Sequence, residues 1–191
     1  MIYKLKNIVQ EIKTGFSFRT KIIHDPEGNV AIIQFKDMTN NYKNIGEIDT
    51  WLKRKEFKSD HFLQKEDILF IAKGINNHAI VFDKEYAAIA SSVFFVIVVD
   101  KAKVLPGYLA WYMNQKPFQS EINSLRSGSS TLNINKKTLE EMSVVVPDME
   151  TQNIIVNIGH LAIREHKILT LLSEKRNQIV EQKLLTKIKQ S

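Results

Sequence analysis

The sequence predicts a mixed α/β fold, of the α+β kind, with a long coiled-coil-type helix at its C-terminus. Runs rich in β-branched and aromatic residues occupy the middle of the chain, and this composition favours strands. Residues 150–190 contain no Pro and a single Gly, and helix formers dominate there. We therefore expect a globular domain over residues 1–148 and one long helix over residues 149–191.

Four segments of the globular domain have the composition of strands. We expect these strands at residues 30–35, 68–72, 79–82 and 93–99. The longest nearly apolar run, residues 87–99, has only thirteen residues, whereas a membrane-spanning helix needs about 20. This run therefore predicts a buried strand and not a membrane span.

Short helices are expected around these strands. Apolar residues at helical spacing predict a first amphipathic helix that ends near Thr14. Pro106 is tolerated in the first turn of a helix, and a further helix is expected after Pro117. Asn135 is a suitable N-cap for a helix over residues 136–142. The residues that define the first helix are Leu5, Ile8, Val9 and Ile12.

An apolar seam runs along the predicted C-terminal helix. Its residues recur at the spacings typical of a helix that packs against another helix. At 1.5 Å per residue the helix would be about 60 Å long, which is further than a compact domain covers. We therefore expect dimerisation through this helix, since two-fold pairing of identical chains is the commonest arrangement. The seam consists of Ile154, Ile158, Leu161, Ile168, Leu172 and Ile179.

The charge and the composition of the chain indicate which kinds of partner, site and compartment to expect. The formal net charge is +6 and the isoelectric point is about 9.4, which favours a polyanionic partner. The sequence has no Cys, which excludes disulfides and thiolate metal sites. The N-terminus is charged and lacks the apolar core of a signal peptide, so a cytoplasmic protein is expected.

Polar loops of the globular domain contain side chains of the types that contact DNA in other proteins. Asn and Arg match adenine and guanine edges in the major groove, whereas Lys, Ser and Thr mostly contact phosphates. These residue types are also common in turns, so a structural role is the alternative for each of them. Phe16, Phe18 and Tyr42 lie near basic residues, where an aromatic ring can stack on a base. Aromatic residues at such spacings are, however, more typical of a core. The candidate DNA-binding residues are Lys73, Asn76, Asn77, His78, Arg126, Ser129, Ser130, Thr131, Asn133, Lys136 and Lys137.

One spacing resembles that of a metal-dependent nuclease. Asp49 followed by Glu56 and Lys58 has the order of carboxylates and lysine that would hold Mg²⁺. Because a quarter of the residues are charged, this spacing arises easily by chance. The sequence has no Gly-rich cofactor loop and no Walker motif. We therefore expect no catalytic centre, no metal site and no cofactor in this chain.

Several short motifs occur in the order found in one known family. A Gly-Ser/Thr-Thr loop, an apolar strand ending in Pro and a Gln-containing helix start follow one another in the last third of the chain. With the upstream segments they resemble the DNA specificity subunits of type I restriction-modification systems. That family has Glu-Gln where this chain has Thr151-Gln152. The matching segments are residues 3–8, 66–70, 73–74, 105–109, 127–135, 144–147 and 151–152.

The resemblance implies a non-catalytic target recognition domain joined to a helix that dimerises and docks other subunits. A specificity subunit has two such domains and two helices, so this chain is expected to correspond to half a subunit. Its implied partners are double-stranded DNA, methyltransferase subunits that use S-adenosylmethionine, and ATP-dependent restriction and translocase subunits. The cofactors would then belong to the partners. Two other functions remain open from the residues alone, a stand-alone metal-dependent nuclease and a helical adaptor without DNA binding.

Overall fold

Short strands and 3-10 helices are the regular elements of the first hundred residues of the chain. The computed structural model describes residues 1–40, 43–126 and 133–189. The strands are β1 Ile2–Lys4, β2 Val9–Thr14, β3 Val30–Ile33, β4 Met38–Thr39, β5 Asn44–Ile45, β6 Trp51–Leu52, β7 Ile68–Ile71, β8 Ala79–Val81, β9 Ala88–Ala90, β10 Phe94–Val99 and β11 Ser143–Val145. The helices are α1 Pro106–Met113, α2 Lys116–Arg126, α3 Lys136–Glu141 and α4 Met149–Lys189. Four 3-10 helices span Leu5–Asn7, Phe35–Asp37, Arg54–Glu56 and Ser59–His61.

Two sheets form the framework. The larger sheet has the order β2-β10-β7-β8 and is antiparallel throughout. The smaller sheet has the order β6-β3-β9, in which β3 and β9 are parallel. Two further antiparallel pairs join β1 to β11 and β4 to β5. The chain divides into two compact units, residues 1–152 and residues 153–191.

The main core lies between the facing sides of the two sheets. Leu69 and Ile71 of β7 pack there with Ala31 and Ile33 of β3 and with Phe94 of β10. Because side chains alternate along a strand, the intervening residues of β7 point to the other face, where they are also buried. On the larger sheet α1 packs against β8 and α3 packs against β2. The larger sheet is therefore covered on both faces.

A second apolar cluster covers the outer face of the smaller sheet. Phe16 and Phe18 pack there against Ile32, and their ring centroids lie 4.7 Å apart in an edge-to-face arrangement. Phe57 and Phe62 complete the cluster. These aromatic side chains therefore belong to the packing of the smaller sheet. Tyr42 lies outside the described residues.

The predicted N-terminal helix is wrong. Leu5–Asn7 is a 3-10 helix, and residues 9–14 form β2, which pairs with β10. Leu5, Ile8 and Ile12 are all buried, as the spacing indicates, but a 3-10 turn followed by a strand also buries them. Pairing with β10 overrides the local helical pattern. The apolar run 87–99 likewise contains two strands, β9 and β10, instead of one.

The other predicted elements are found. Strands occupy the cores of the four predicted segments, and helices begin at Pro106, at Lys116 and at Lys136. Asn135 caps α3 as predicted, because its Oδ1 accepts a hydrogen bond of 2.8 Å from the Thr138 backbone N–H. The long C-terminal helix is continuous from Met149 to Lys189. Within the described ranges, none of the helices combines the length and apolar character needed to cross a membrane.

Two polar residues fix the start of α4. Asp148 Oδ1 accepts a hydrogen bond of 2.8 Å from the Thr151 backbone N–H, which lowers the pKa of this carboxyl. The side chain of Gln152 is fully buried. Its Oε1 accepts a hydrogen bond of 2.8 Å from the Leu105 N–H, and its Nε2 donates one of 2.9 Å to the Pro147 carbonyl. Gln152 therefore joins the start of α4 to the segment that leads into α1.

Candidate nucleic-acid interface

One end of the larger sheet gathers three polar segments. The strands β2 and β7 end there and β8 and β10 begin there, as the pairing of Ile71 with Phe94 and of Phe70 with Ala79 shows. Residues 72–78 connect β7 to β8, and residues 91–93 lead into β10. The third segment, residues 133–137, lies beside the first, because the Ile134 N–H donates to the Ala72 carbonyl. We call residues 72–78, 91–93 and 133–137 the loop surface.

Backbone hydrogen bonds hold the three segments of the loop surface together. The Ala72 N–H donates to the Val93 carbonyl at 2.9 Å. The Ala72 carbonyl accepts a hydrogen bond of 2.8 Å from the Ile134 N–H. The Lys73 ammonium also lies 3.2 Å from the Ser92 hydroxyl. The structure therefore brings Lys73 of the first predicted loop next to the segment that contains Asn133, Lys136 and Lys137.

The charges of the loop surface differ from those at the opposite end of the sheet. The loop surface contains Lys73, Lys136 and Lys137, all exposed, and its segments contain no Asp or Glu. At the opposite end, residues 64–67, 82–87 and 100–105 contain four Lys and five acidic residues. Several of these form ion pairs, such as Lys65 with Glu85 at 2.5 Å. The loop surface is therefore the end of the sheet that attracts a polyanion.

The predicted residues of the 72–78 loop face in different directions. Lys73 is exposed and Asn76 is partly exposed, as a DNA contact requires. The prediction for Asn77 is corrected, because its side chain is only 1% exposed and its Nδ2 donates a hydrogen bond of 2.7 Å to the Ile71 carbonyl. An Asn in this environment positions the loop and cannot reach a base. His78 is half-buried, and burial lowers its pKa, with Lys43 as a second cause.

Two amides from the helical layer fix the base of this loop. The side chain of Asn114 forms a matched pair with Ala79, accepting from its N–H at 2.8 Å and donating to its carbonyl at 2.8 Å. Gln119 Nε2 donates to the carbonyl of Asn77 at 2.8 Å and to that of Met113 at 2.7 Å. We call Asn77, Asn114 and Gln119 the amide clamp. In the sequence, Asn114 and Gln119 belong to an amide-rich stretch that runs from the end of α1 into α2.

Part of the second predicted loop lies outside the described residues, namely Ser129, Ser130 and Thr131. Arg126 is the last residue of α2, and its side chain also lies outside the described part of the chain. Asn133 is exposed. Lys136 and Lys137 are exposed in the first turn of α3, where Lys136 lies 3.7 Å from Glu140 one turn later. These two lysines therefore belong to the segment that Ile134 joins to Ala72, and each has a glutamate of α3 nearby.

The helix α4 has exposed apolar side chains along its length. All six residues of the predicted seam are exposed, with Leu161 at 64% and Leu172 at 65%. With 3.6 residues per turn, these six lie within an arc of about 80°. Further exposed apolar residues lie outside this arc and were not singled out in the sequence. They include Ile163, Leu171, Leu184, Leu185 and Ile188.

The nuclease alternative gains no support from the described residues. Asp49 is exposed and lies 3.8 Å from the Lys36 ammonium. The side chain of Glu56 is outside the described part of the structure. Over residues 1–40, 43–126 and 133–189, no group of three or more His, Asp or Glu side chains is arranged to hold a metal ion. The candidate site is therefore a polar and basic surface.

Known structures share this fold. A chain from a type I restriction-modification system, solved to explain complex assembly and conformational transition, is 15% identical with a TM-score of 0.62 over 90% of this chain and 39% of its own. The HsdS subunit from Thermoanaerobacter tengcongensis is 13% identical, with a TM-score of 0.64 over 93% of this chain and 46% of its own. The type I restriction-modification S subunit from M. genitalium is 18% identical, with a TM-score of 0.58 over 91% and 41%. This chain therefore spans less than half the length of each of them.

The sequence comparison places the chain in one family. No curated protein matches it significantly in sequence. The model of the type I restriction modification DNA specificity domain matches residues 1–183, which include both the sheets and most of α4. Since this match extends over nearly the whole sequence, the chain belongs to the type I restriction modification DNA specificity domain family.

Proposed function

We propose that this chain recognises a specific sequence in double-stranded DNA as the specificity component of a type I restriction-modification complex. The observation that supports this best is the loop surface, which contains three exposed lysines and no acidic residue at one end of the larger sheet. DNA-binding surfaces combine such positive charge with polar side chains that reach base edges. Residues 1–148 would read the DNA, and residues 149–191 would join the chain to its partners.

The loop surface supplies two kinds of contact. Lys73, Lys136 and Lys137 are exposed point charges and would hold phosphates. Asn76 and Asn133 have accessible amides, which suit adenine edges. Arg126, Ser129, Ser130 and Thr131 stay candidates on sequence grounds. Asn77 would act indirectly, by fixing the loop that presents Lys73 and Asn76.

The helix α4 would pair with other helices. Pairing of two chains through the seam would bury its six apolar residues, and a two-fold dimer is the simplest arrangement. The exposed apolar residues outside the seam would need a further helix to cover them, which a methyltransferase subunit would provide. Restriction and translocase subunits would join through that complex. In this proposal the chain is non-catalytic, and the cofactors are bound by its partners.

Neutralising two lysines tests the phosphate contacts. In Lys136→Gln with Lys137→Gln we expect weaker binding to every duplex, because two phosphate contacts are lost. The slope of log K against log salt should become less negative by about 1.8. The matched control is Lys65→Gln with Lys101→Gln, which removes two exposed lysines from the opposite end of the sheet. Equal effects of the two double variants on the slope would contradict the proposed surface.

Selection from random duplexes tests sequence recognition. The full chain, bound to the methyltransferase subunit of its own system, should enrich one sequence. Two-fold pairing of the chain requires two inverted half-sites, so the enriched site should be an interrupted palindrome. A continuous or asymmetric site would overturn the symmetric dimer. Absence of any enrichment would overturn sequence recognition and favour the adaptor alternative.

A further inference from the structure

In the 72–78 loop an apolar side chain is exposed while an amide side chain two residues later is buried. Ile75 is 67% exposed, whereas Asn77 is 1% exposed. A loop that faces only water would expose the amide and turn the isoleucine inward, because burial of apolar surface is favourable and burial of an amide requires hydrogen-bond partners. Ile75 is therefore available for contact with a partner, whereas the Asn77 side chain is not.

The fold prevents Ile75 from turning inward. Ala72 is held on both sides, with its N–H bonded to Val93 and its carbonyl to Ile134. At the other end of the loop, the amide clamp holds Asn77 and Ala79. These anchors are only a few residues apart, so they leave the intervening residues little freedom to rearrange.

Gly74 directs the chain outward between these anchors. It has a φ of +89°, a conformation that residues with a side chain rarely adopt. Among the described residues, no atom lies within 4 Å of the place where a Cβ would be. Ile75 directly follows this turn. The isoleucine is thus presented at the tip of a fixed loop.

The neighbours of Ile75 indicate which kind of surface it meets. Lys73 is exposed on one side and Asn76 is partly exposed on the other, on a loop surface without acidic residues. The C5-methyl of thymine is the apolar group that DNA presents in the major groove, and apolar side chains contact it there. An Asn amide matches the N6 and N7 positions of adenine. Ile75 and Asn76 together therefore supply the two kinds of group, apolar and amide, that match thymine and adenine in the major groove.

We propose that Ile75 is a specificity-determining residue whose side chain contacts the C5-methyl group of a thymine in the major groove. This inference rests on the proposed function, since it requires that the loop surface reads DNA. It adds an apolar contact to the polar residues that composition alone singles out. It also assigns the amide clamp the role of holding that contact in place.

Removal of the thymine methyl alone tests the contact. The full chain with its methyltransferase subunit first selects its preferred duplex from a random pool. Each thymine of that duplex is then replaced in turn by deoxyuridine, which lacks only the C5-methyl, and the dissociation constant is measured at fixed salt. The wild-type protein should lose about fourfold in affinity at each of two symmetry-related positions, one in each half-site, the factor expected for one methyl group. Ile75→Ala should bind the thymine and deoxyuridine duplexes equally.

A matched control separates this contact from general effects. Ile23→Ala removes another isoleucine that is 73% exposed but lies outside the loop surface, and it should keep the fourfold difference of the wild-type protein. The inference is overturned if wild type distinguishes no thymine from deoxyuridine, or if Ile75→Ala still does. A selection without any preferred sequence overturns the proposed function itself and is seen before any variant is made.

Discussion

We predict that the protein dimerises through the seam of α4 and that replacing Leu161 and Leu172 by Glu gives a monomer. These side chains are 64% and 65% exposed, so roughly two thirds of each remains to be buried by a partner helix. Full burial of a Leu side chain is worth about 1.5–3 kcal/mol, which gives about 1–2 kcal/mol for the part still exposed. A symmetric pair contains four such side chains, so the loss is about 4–8 kcal/mol. At about 1.4 kcal/mol per tenfold change, the dissociation constant rises by at least about three orders of magnitude.

Sedimentation velocity at micromolar concentration measures this change directly. The control is Thr170→Glu with Asn177→Glu, which adds the same two charges to α4 at positions on the other side of the helix from the seam. This control should remain dimeric. Circular dichroism then reports whether the helix survives in the monomeric variant, since a long helix without its partner loses stability. A wild-type protein that sediments as a monomer, or a Leu161 and Leu172 double variant that stays dimeric, would refute the proposed pairing.

Three further predictions concern the globular unit and are measured by urea denaturation. Asn114→Ala removes both hydrogen bonds to Ala79 and should lower the free energy of unfolding by about 1–3 kcal/mol, whereas an unchanged value would show that the clamp is unimportant. Burial raises the pKa of Tyr108 to about 12, so the unfolded state ionises first and stability should fall as pH rises above 10. Tyr108→Phe should make this fall smaller, and the rest is expected from Tyr86, whose pKa burial also raises. Burial lowers the pKa of His78 from 6.5, so the unfolded state binds the proton first and stability should fall as pH drops through about 6.5. His78→Gln should remove that dependence, and a wild-type curve that is flat around pH 6 would contradict it.

The sequence predicted correctly those elements whose local pattern is compatible with only one kind of secondary structure. The Pro-free C-terminal segment allows only a long helix, and the β-branched runs 68–71 and 94–99 form the central strands of the larger sheet. The three- and four-residue spacing of Leu5, Ile8 and Ile12 is compatible with two kinds of local structure. A helix buries these residues, but so does a 3-10 turn followed by a strand, and the neighbouring strand β10 decides between them. Strands of two or three residues, such as β6 and β9, are too short to show any periodicity.

The sequence singled out candidate loops, but it did not predict the orientation of their side chains. Composition marked the 72–78 loop as polar, and the fold places it next to Lys136 and Lys137 through the hydrogen bond between Ile134 and Ala72. Which of two adjacent Asn side chains faces inward depends on acceptors elsewhere in the chain. Asn77 is buried because the Ile71 carbonyl accepts its amide and because Gln119, 42 residues away, donates to its main chain. Such contacts between distant segments leave no signal in a local window of sequence.

The hydrogen bonds that anchor the 72–78 loop mostly involve main-chain atoms. Different residues therefore determine the stability of the loop and the DNA sequence that it prefers. The clamp engages the carbonyls of Ile71 and Asn77 and the backbone of Ala79, while Ala72 is held through its own N–H and carbonyl. Side chains at the tip of the loop take no part in these backbone anchors. Substitutions at Ile75 or Asn76 should therefore change which DNA sequence is preferred at little cost in stability. Substitutions in the amide clamp should lower stability first. They should affect the DNA contacts only indirectly, because they loosen the loop that makes those contacts.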